Sequence, residues 1–196
     1  MKKLSIVLYI LFIFILSTTI MADSKEGKGS YNETGYIAPS KKFTQLNGEL
    51  GTILGLSVGW ISEHSFIVEG SFFGLINEVS SPRPGSELGV GYSGLSLGYN
   101  IPLGQKVHIL INTMFGVGRV SYKRDYSQPK NPDKDKLSSI IAVVEPGLNL
   151  EINITDYFRL SLGASYRVVD RVDLKNLSND DINGITGNIA LKFGAF

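Results

Sequence analysis

The chain of 196 residues contains no cysteine and two histidines. The lack of cysteine excludes disulfide bonds, thiolate chemistry and a lipid-modified cysteine behind a leader. Two histidines leave little for a metal site, and the sequence predicts no metal and no cofactor. The formal net charge is only +1. Because nucleic-acid-binding proteins concentrate lysine and arginine in strongly basic patches, this charge balance argues against a nucleic-acid partner.

The longest apolar run of the chain lies at its N-terminus. Two lysines precede an apolar stretch over residues 4–16, and small and polar residues follow as far as Ala22. This order is that of a secretory signal peptide, and the stretch is shorter than the roughly 20 apolar residues of a transmembrane helix. We predict a signal peptide over residues 1–22 and a flexible polar leader over residues 23–35, with an uncleaved anchor as the alternative.

Alternation of apolar and polar residues dominates the rest of the sequence. In the stretch Phe158–Asp170 the even positions as far as Val168 are apolar, whereas the odd positions before it hold arginine, serine and glycine. A period of two residues is typical of a β-strand with two unlike faces. Turn signals divide the chain into eight such runs, which we predict as strands over residues 36–46, 50–61, 66–76, 89–100, 106–122, 139–153, 158–169 and 184–196.

The connections between the predicted strands alternate in length. SEHS, IPLGQ and TDY are short, whereas NEVSSPRPGSEL, KRDYSQPKNPDKDKLS and DRVDLKNLSNDDIN are long and polar. The first connection, around Asn47 and Gly48, is the exception, because it is tight on the side of the long loops. This layout is typical of a bacterial outer-membrane barrel. We therefore predict an all-β fold, an eight-stranded antiparallel up-and-down transmembrane β-barrel over residues 36–196, with its ends in the periplasm and its long loops outside.

The polar face of the strands is predicted to line the barrel interior. Its residues are mostly glycine, serine and asparagine, which suit the crowded lumen of a barrel of about eight strands. A tight turn at Thr155 would place Glu151 roughly opposite Arg159 and Glu145 diagonal to Arg167, within reach for opposite-charge pairs. We predict a lumen filled with side chains rather than an open pore. The predicted lumen charges are Glu69, Glu145, Glu151, Arg159, Arg167 and Lys192.

Aromatic residues gather beside the short turns and at the end of the sequence. Aromatic side chains are enriched where a membrane barrel meets the two membrane interfaces. We predict a second belt on the side of the long loops that includes Phe73, Tyr122 and Tyr166; ordinary core aromatics of a soluble barrel are the alternative. The predicted interfacial belt on the side of the short turns consists of Trp60, Phe66, Tyr99, Tyr157, Phe158 and Phe196.

The stretch EINITDYFRLSLGASYRV, followed by a last strand that ends in Phe196, resembles the small outer-membrane β-barrels of Gram-negative bacteria, the class that includes OmpA-like and OmpX-like barrels. The resemblance covers residues 36–196 and implies location in the cell outer membrane and a structural or surface-interaction role without catalysis. The partners it implies are outer-membrane lipids, lipopolysaccharide and the outer-membrane assembly machinery, while a surface protein partner stays unknown.

Two positions depart from the regular pattern. The family keeps its terminal aromatic residue in phase with the lipid-facing residues, whereas Phe196 is out of phase with Phe193. A bulge near Gly194 would restore the phase. Pro146 lies inside the sixth predicted strand, where it cannot donate a ladder hydrogen bond, so we predict a bulge or a local break there.

The short motifs of the sequence predict no catalytic or cofactor-binding site. The glycines of GVGYSG, residues 89–94, match a dinucleotide fingerprint, but a strand follows them where that site needs a helix. His64 and Ser65 lie in a predicted periplasmic turn without a third group to orient a base. The lysine-rich loop over residues 123–138 could contact lipopolysaccharide phosphates, although a solvated loop is the simpler interpretation. We predict no catalytic, cofactor-binding or metal-binding residue.

Three alternatives remain open at the level of the sequence. A narrow channel for small or hydrophobic solutes would need a continuous gap through the lumen. A lipid A-modifying enzyme would need a histidine or serine at the rim of the outer leaflet. A soluble periplasmic barrel would turn its apolar face inward.

Overall fold

The computed structural model describes residues 34–62, 65–124 and 137–196. Within these ranges the strands follow one another in a closed, antiparallel barrel, in the order of the sequence. The predicted eight-stranded up-and-down β-barrel is therefore confirmed. The strands are β1 (Thr34–Leu46), β2 (Glu49–Ser62), β3 (Phe66–Leu75), β4 (Ser86–Pro102), β5 (Val107–Arg124), β6 (Ser138–Thr155), β7 (Phe158–Asp170) and β8 (Gly184–Gly194).

The predicted N-terminal segments lie almost entirely outside the described residues. This holds for the signal peptide over residues 1–22 and for the leader over residues 23–35 except its last two positions. β1 begins at Thr34, within the predicted leader. The described residues include no helix long and apolar enough to cross a membrane.

The connections give the barrel two ends, which we name the turn end and the loop end. The turn end carries the connections 63–65, 103–106 and 156–157. The loop end carries the connections 47–48, 76–85, 125–137 and 171–183. Asn47 and Gly48 have φ angles of 47° and 82°. A two-residue turn with positive φ at both positions fits the twist of a β-hairpin, which explains the tight turn among the long loops.

The strand ladders run in continuous register along most of the wall. The ladder between β6 and β7 is interrupted at Pro146, and the pairs on its two sides keep the same register. Because proline has no N–H to donate, the predicted local break is present, and it needs no bulge. The register shift between these strands lies beside the turn, between Asn153 and Thr155.

Residue parity decides which side chains face the lumen. In β2, Ile53 and Ser57 are buried, whereas Leu54 and Val58 are 47% and 63% exposed. The apolar face of the alternation is therefore the outer wall, which is the arrangement of a membrane barrel. Large apolar side chains are exposed on each strand in turn, among them Ile37, Leu56, Phe72, Leu95, Val117, Leu148, Leu162 and Ile189.

The interior is filled in layers. A buried apolar cluster occupies the loop end, and Leu174, Leu177 and Ile182 of the β7–β8 connection belong to it. We call this connection, residues 171–183, the cap. Polar and charged residues fill the middle of the barrel. At the turn end lies a smaller apolar cluster of Tyr36, Ala38, Ile61, Ile67 and Leu110, against which Phe196 packs.

Candidate functional site inside the barrel

Glu145 of β6 lies in the middle of the lumen and receives its partners from three other strands. Lys42 Nζ lies 2.7 Å from Glu145 Oε1, and the Ser165 hydroxyl donates to the same oxygen at 2.5 Å. The Tyr92 hydroxyl donates to Oε2 at 3.1 Å. The side chains of Lys42 and Glu145 are only 9% and 3% exposed. A buried carboxylate is tolerated when it is paired and hydrogen-bonded in this way.

Lys42 is a lumen residue that the sequence analysis missed. Its ammonium group lies 3.7 Å from the centre of the Phe73 ring and 5.6 Å from that of the Tyr92 ring. These cation–π contacts stabilise the lysine charge in addition to the ion pair with Glu145. Alternation along β1 was the available signal, because Lys42 has the parity of the inward-facing Tyr36 and Thr44. Parity alone would have separated it from Lys41, which faces outward.

Arg167 does not form the predicted pair with Glu145. Its Nε and Nη2 atoms donate to the carbonyl oxygen of Ile182 at 3.0 and 2.8 Å, and Nη2 also donates to Thr44 Oγ1 at 3.2 Å. The guanidinium is fully buried and fastens the cap to the barrel wall. The prediction is wrong because Lys42 of β1 forms the ion pair with Glu145. Arg167 instead donates hydrogen bonds to a carbonyl oxygen of the cap.

Glu151 of β6 is the centre of a second cluster nearer to the turn end. Arg159 Nη1 lies 2.8 Å from Glu151 Oε2, and Lys192 Nζ lies 2.5 Å from Glu151 Oε1. The expected contact between Glu151 and Arg159 is present, but it is diagonal, because the residue opposite Arg159 is Asn153. Arg159 Nε donates to Asn153 Oδ1 at 2.6 Å. One carboxylate thus holds two cations from neighbouring strands.

Glu69 of β3 differs from the other two lumen carboxylates in the groups that contact it. The Tyr36 hydroxyl donates to Oε2 at 2.7 Å and the Ser71 hydroxyl to Oε1 at 2.9 Å. Within the described part of the chain, no ion pair joins Glu69 to a cation. The other predicted lumen charges, Glu145, Glu151, Arg159, Arg167 and Lys192, are all buried.

A cavity of about 70 Å³ lies between the charged clusters. Leu110 of the turn-end cluster lines it, and so do Phe73 and Met114, which pack with the loop-end cluster. This volume holds a few water molecules, and it is far smaller than the hundreds of Å³ of a small-molecule pocket. The polar residues around it include Ser40, Lys42, Glu69, Asn112, Asn149 and Lys192.

The predicted turn-end belt is found on the outer wall except for one residue. Trp60, Tyr99 and Tyr157 are 41%, 53% and 72% exposed, and Phe66 and Phe158 are half-buried at outward positions of their strands. These residues lie beside the short turns. Their contact with a membrane interface stays a prediction.

Phe196 does not belong to this belt. Its ring lies 4.2 Å from the Arg159 guanidinium carbon and 6.2 Å from the Tyr36 ring, inside the mouth of the barrel. β8 ends at Gly194 with its inward parity unbroken, so the bulge that would have turned Phe196 outward is not formed. Phe193 takes the outward place, with its ring 5.2 Å from that of Phe158.

The predicted loop-end belt is wrong for two of its three residues. Phe73 points inward, with its ring 5.0 Å from that of Tyr92. Tyr122 is buried, and its hydroxyl donates to the Lys175 carbonyl of the cap at 2.6 Å. Tyr166 is 50% exposed on the outer wall. Successive side chains of a strand face opposite sides of the wall. An aromatic residue at an inward position therefore faces the lumen, although aromatic residues are common at membrane interfaces.

Where the remaining motifs fall within the described residues, they form no reactive arrangement. Residues 89–94 lie within β4 and do not open a helix. His64 lies outside the described residues, as does most of the loop over residues 123–138. Within the ranges that the structure describes, no group of three or more acidic or histidine side chains is placed to hold a metal ion.

No protein-family model and no curated protein matches the chain. Solved structures match it in fold. The N-terminal β-barrel domain of Pseudomonas aeruginosa OprF superposes with a TM-score of 0.58 at 11% identity, over 84% of this chain and 99% of that one. Neisserial surface protein A gives 0.56 at 13% identity, over 86% and 99%. Ail, the attachment invasion locus protein of Yersinia pestis, gives 0.50 at 14% identity, over 83% and 97%.

At these identities the similarity establishes the fold. The chain has the fold of the small outer-membrane barrels, the OmpA-like and OmpX-like class that its sequence resembles. With an apolar outer wall, a barrel of this fold is located in the outer membrane. The predicted location and the predicted fold class agree with this result.

Proposed function

We propose that the protein is a closed outer-membrane barrel with a lumen filled by side chains, and that its role is structural or surface-interacting, without catalysis. The cap is the observation that supports this proposal most directly. Its residues Leu174, Leu177 and Ile182 are 7%, 5% and 0% exposed within the loop-end cluster. They occupy the space through which a solute would have to leave the lumen.

The cap is fastened to the wall on several sides. The Tyr122 hydroxyl donates to the Lys175 carbonyl at 2.6 Å, and the Asn47 N–H donates to the Asp181 carbonyl at 2.8 Å. Arg167 adds its bonds to the Ile182 carbonyl from inside. Opening this end would expose the apolar cluster and break these bonds together, which favours a permanently closed barrel.

The turn end is narrowed by aromatic side chains. The inward-facing Tyr36 ring lies over its partner Gly59 on the neighbouring strand β2, where even a Cβ atom would clash with the ring. Phe196 covers the Arg159 guanidinium at the same end. A solute that entered here would have to displace both rings before it reached the central cavity.

Conductance measurements on the purified, refolded protein test the closed lumen. We expect no discrete conductance steps in a planar bilayer, for preparations whose heat-dependent gel mobility shows a folded barrel. A variant in which Leu174, Leu177 and Ile182 are all replaced by serine should loosen the cap and serves as the comparison. Discrete open states of the unaltered protein would refute the closed lumen and would favour a narrow channel instead.

The absence of catalysis is tested on the membrane itself. Overproduction of the protein in a Gram-negative host should leave the mass spectrum of lipid A unchanged, because the charges of the described interior are held in ion pairs or hydrogen bonds and none of them activates a nucleophile. A new lipid A species that depends on the protein would favour the lipid-modifying enzyme instead.

A further inference from the structure

The β7–β8 hairpin is the part of the wall whose two outer ladders are both interrupted. The ladder between β1 and β8 lacks the pairs at Ala38 and Pro39, and the pairs on either side keep one register. The ladder between β6 and β7 is interrupted at Glu145 and Pro146. The remaining ladders of the described residues have no gap, and this includes the ladder that joins β7 to β8. The hairpin is therefore continuous within itself and interrupted toward both of its neighbours.

Pro39 accounts for the interruption on the β8 edge. In an antiparallel sheet the N–H and C=O groups of one residue point to the same neighbouring strand, and those of the next residue point to the other. The Gly194 N–H donates to the Tyr157 carbonyl at 3.1 Å, so the even-numbered residues of β8 face β7 and the odd-numbered ones face β1. The register of the ladder sets Pro39 opposite the odd-numbered Leu191. Proline has no N–H, so the bond that is missing at Pro39 is one to β8.

Pro146 accounts for the interruption on the β7 edge in the same way. The Asn153 N–H donates to the Lys106 carbonyl at 2.8 Å, on the side of β5, so the even-numbered residues of β6 face β7. By the register of the ladder, the bond that is missing at Pro146 is one to Tyr166 of β7. Hydrocarbon offers no water to replace a backbone hydrogen bond. Each gap thus weakens the attachment of the hairpin to the wall.

Side chains in the lumen hold the hairpin where its ladders do not. Glu151 of β6 forms ion pairs with Arg159 of β7 at 2.8 Å and with Lys192 of β8 at 2.5 Å. Lys192 occupies the position opposite Ala38, at the gap beside β1. Its Nζ atom also lies 4.7 Å from the centre of the Tyr36 ring of β1. One carboxylate of β6 thus fixes both strands of the hairpin.

Glu145 lies at the other gap and forms bonds across it. The Ser165 hydroxyl of β7 donates to Glu145 Oε1 at 2.5 Å. The ion pair of Lys42 with Glu145, at 2.7 Å, joins β1 to β6, which are the two strands that flank the hairpin. The lumen ion pairs of the described residues therefore all end on β6, and all span this part of the wall. We call the ion pairs of Glu145 and Glu151 the hairpin lock.

We propose that the β7–β8 hairpin with its cap is a separate opening unit of the barrel, held in the wall by the hairpin lock. The unit opens as one body, because β7 and β8 keep an uninterrupted ladder and Arg167 of β7 binds the Ile182 carbonyl of the cap. The strands from β1 to β6 stay together, because their ladders have no gap. Proteins open in such cooperative units at a free energy below that of global unfolding. The opening is a fluctuation of the closed barrel and is distinct from a conducting state.

Residue-resolved hydrogen exchange, measured by NMR on the refolded full chain in lipid nanodiscs, reports this opening. The alternation of N–H directions divides the hairpin into edge amides, which donate to β1 or β6, and inner amides, which join β7 to β8. We expect the edge amides to be protected about tenfold less than the inner amides, whereas the two sets of amides in β4 and β5 should be protected to a similar degree. The edge amides are those of Leu160, Leu162, Gly187 and Ile189, and the inner amides are those of Ser161, Gly163, Asn188 and Ala190.

Pro39→Ala strengthens the attachment on the β8 edge. It supplies an N–H group that faces the Leu191 carbonyl, at a position where the side chain is exposed on the outer wall. Protection of the edge amides should rise about tenfold on both edges, because the unit opens as one body. Unchanged protection of the edge amides in Pro39→Ala would overturn the proposal, and this variant adds a bond to the fold rather than removing one.

Glu151→Gln weakens the hairpin lock, and Glu69→Gln is its matched control. Glu151→Gln removes the charge that holds Arg159 and Lys192, so protection of the edge amides should fall about tenfold while that of β4 and β5 stays the same. Glu69→Gln neutralises a lumen carboxylate of β3 that is hydrogen-bonded to Tyr36 and forms no ion pair in the described residues. It should leave the edge amides of the hairpin unchanged.

Heat-dependent gel mobility is measured first, so that only folded variants are compared. Equal protection of edge and inner amides in the parent would overturn the separate opening unit. Equal losses of protection in Glu151→Gln and Glu69→Gln would overturn the hairpin lock. A folded, non-conducting barrel that gave either result would leave the proposed function standing.

Discussion

The pair of Lys42 and Glu145 offers the sharpest test of the interior. Lys42→Met keeps most of the apolar stem beside Phe73 and removes the charge that lies 2.7 Å from Glu145 Oε1. The carboxylate is then left buried, with the hydroxyl groups of Tyr92 and Ser165 as its donors.

The size of the effect follows from what remains around each carboxylate. Removing one partner of a buried ion pair costs about 3 to 5 kcal/mol of unfolding free energy, and the two remaining hydroxyl donors place Lys42→Met at the lower end of this range, about 3 kcal/mol. The comparison variant is Arg159→Met. Glu151 then keeps Lys192 at 2.5 Å. The cost should therefore be smaller, about 1 to 2 kcal/mol.

Urea-induced unfolding from lipid vesicles measures both variants. Trp60 is the single tryptophan of the chain, and it is 41% exposed on the outer wall, so its fluorescence reports transfer from lipid to water. Adding Glu145→Gln to Lys42→Met should recover part of the loss, because a neutral amide then replaces the carboxylate that has lost its cation. The reasoning fails if Arg159→Met costs as much as Lys42→Met, or if the double variant is no more stable than Lys42→Met alone.

Three further substitutions test the wall and its turns in the same unfolding assay. Leu148→Arg should cost roughly 2 to 4 kcal/mol if its exposed side contacts lipid near the membrane centre, and an unchanged midpoint would contradict that orientation. Gly48→Val should cost about 1 to 2 kcal/mol, because a side chain is strained at a left-handed φ, whereas Gly48→Asn should cost less. Gly59→Val should displace the Tyr36 ring from the lumen and cost about 1 to 3 kcal/mol, and a parent-like midpoint would show that the ring does not rest on Gly59.

The two faces of each strand could be predicted from the sequence because parity is a local property. In β7, Arg159 and Arg167 are buried, whereas Leu162 and Val168 are 40% and 44% exposed. A period of two needs no knowledge of the neighbouring strand. The strand count followed from the same signal together with the turn residues between the runs.

Aromatic positions went wrong where residue type was weighed above parity. Phe72 is 70% exposed, so its successor Phe73 must face the lumen. Phe196 likewise continues the inward parity of Lys192 and Gly194 beyond the end of β8. The alternation of residues alone predicts the inward orientation of both Phe73 and Phe196. Residue type does not, because an aromatic ring can pack in a lumen as well as on an outer wall.

Partners across the lumen could not be derived from local pattern. Lys42 and Glu145 are 103 residues apart in the chain, and their contact depends on closure of the barrel. Adjacent strands are accessible to sequence reasoning through their shared turn, which is why the contact of Glu151 with Arg159 was anticipated. The diagonal offset of that contact arises because the turn lies at residues 156–157 and not at Thr155, so that Arg159 pairs with Asn153.

The cap shows how a loop that reads as polar can complete a core. Its sequence RVDLKNLSNDDIN is dominated by polar residues, yet Leu174, Leu177 and Ile182 are buried in the loop-end cluster and Val172 packs against it. With apolar layers at both ends, the central charges lie in a region of low dielectric constant, where an unpaired charge is costly. An ion entering the cavity would have to lose its water at one of these layers. The charges that could receive it, such as Glu145 and Glu151, already hold partners of this chain, and this supports a lumen arranged to join strands rather than to conduct.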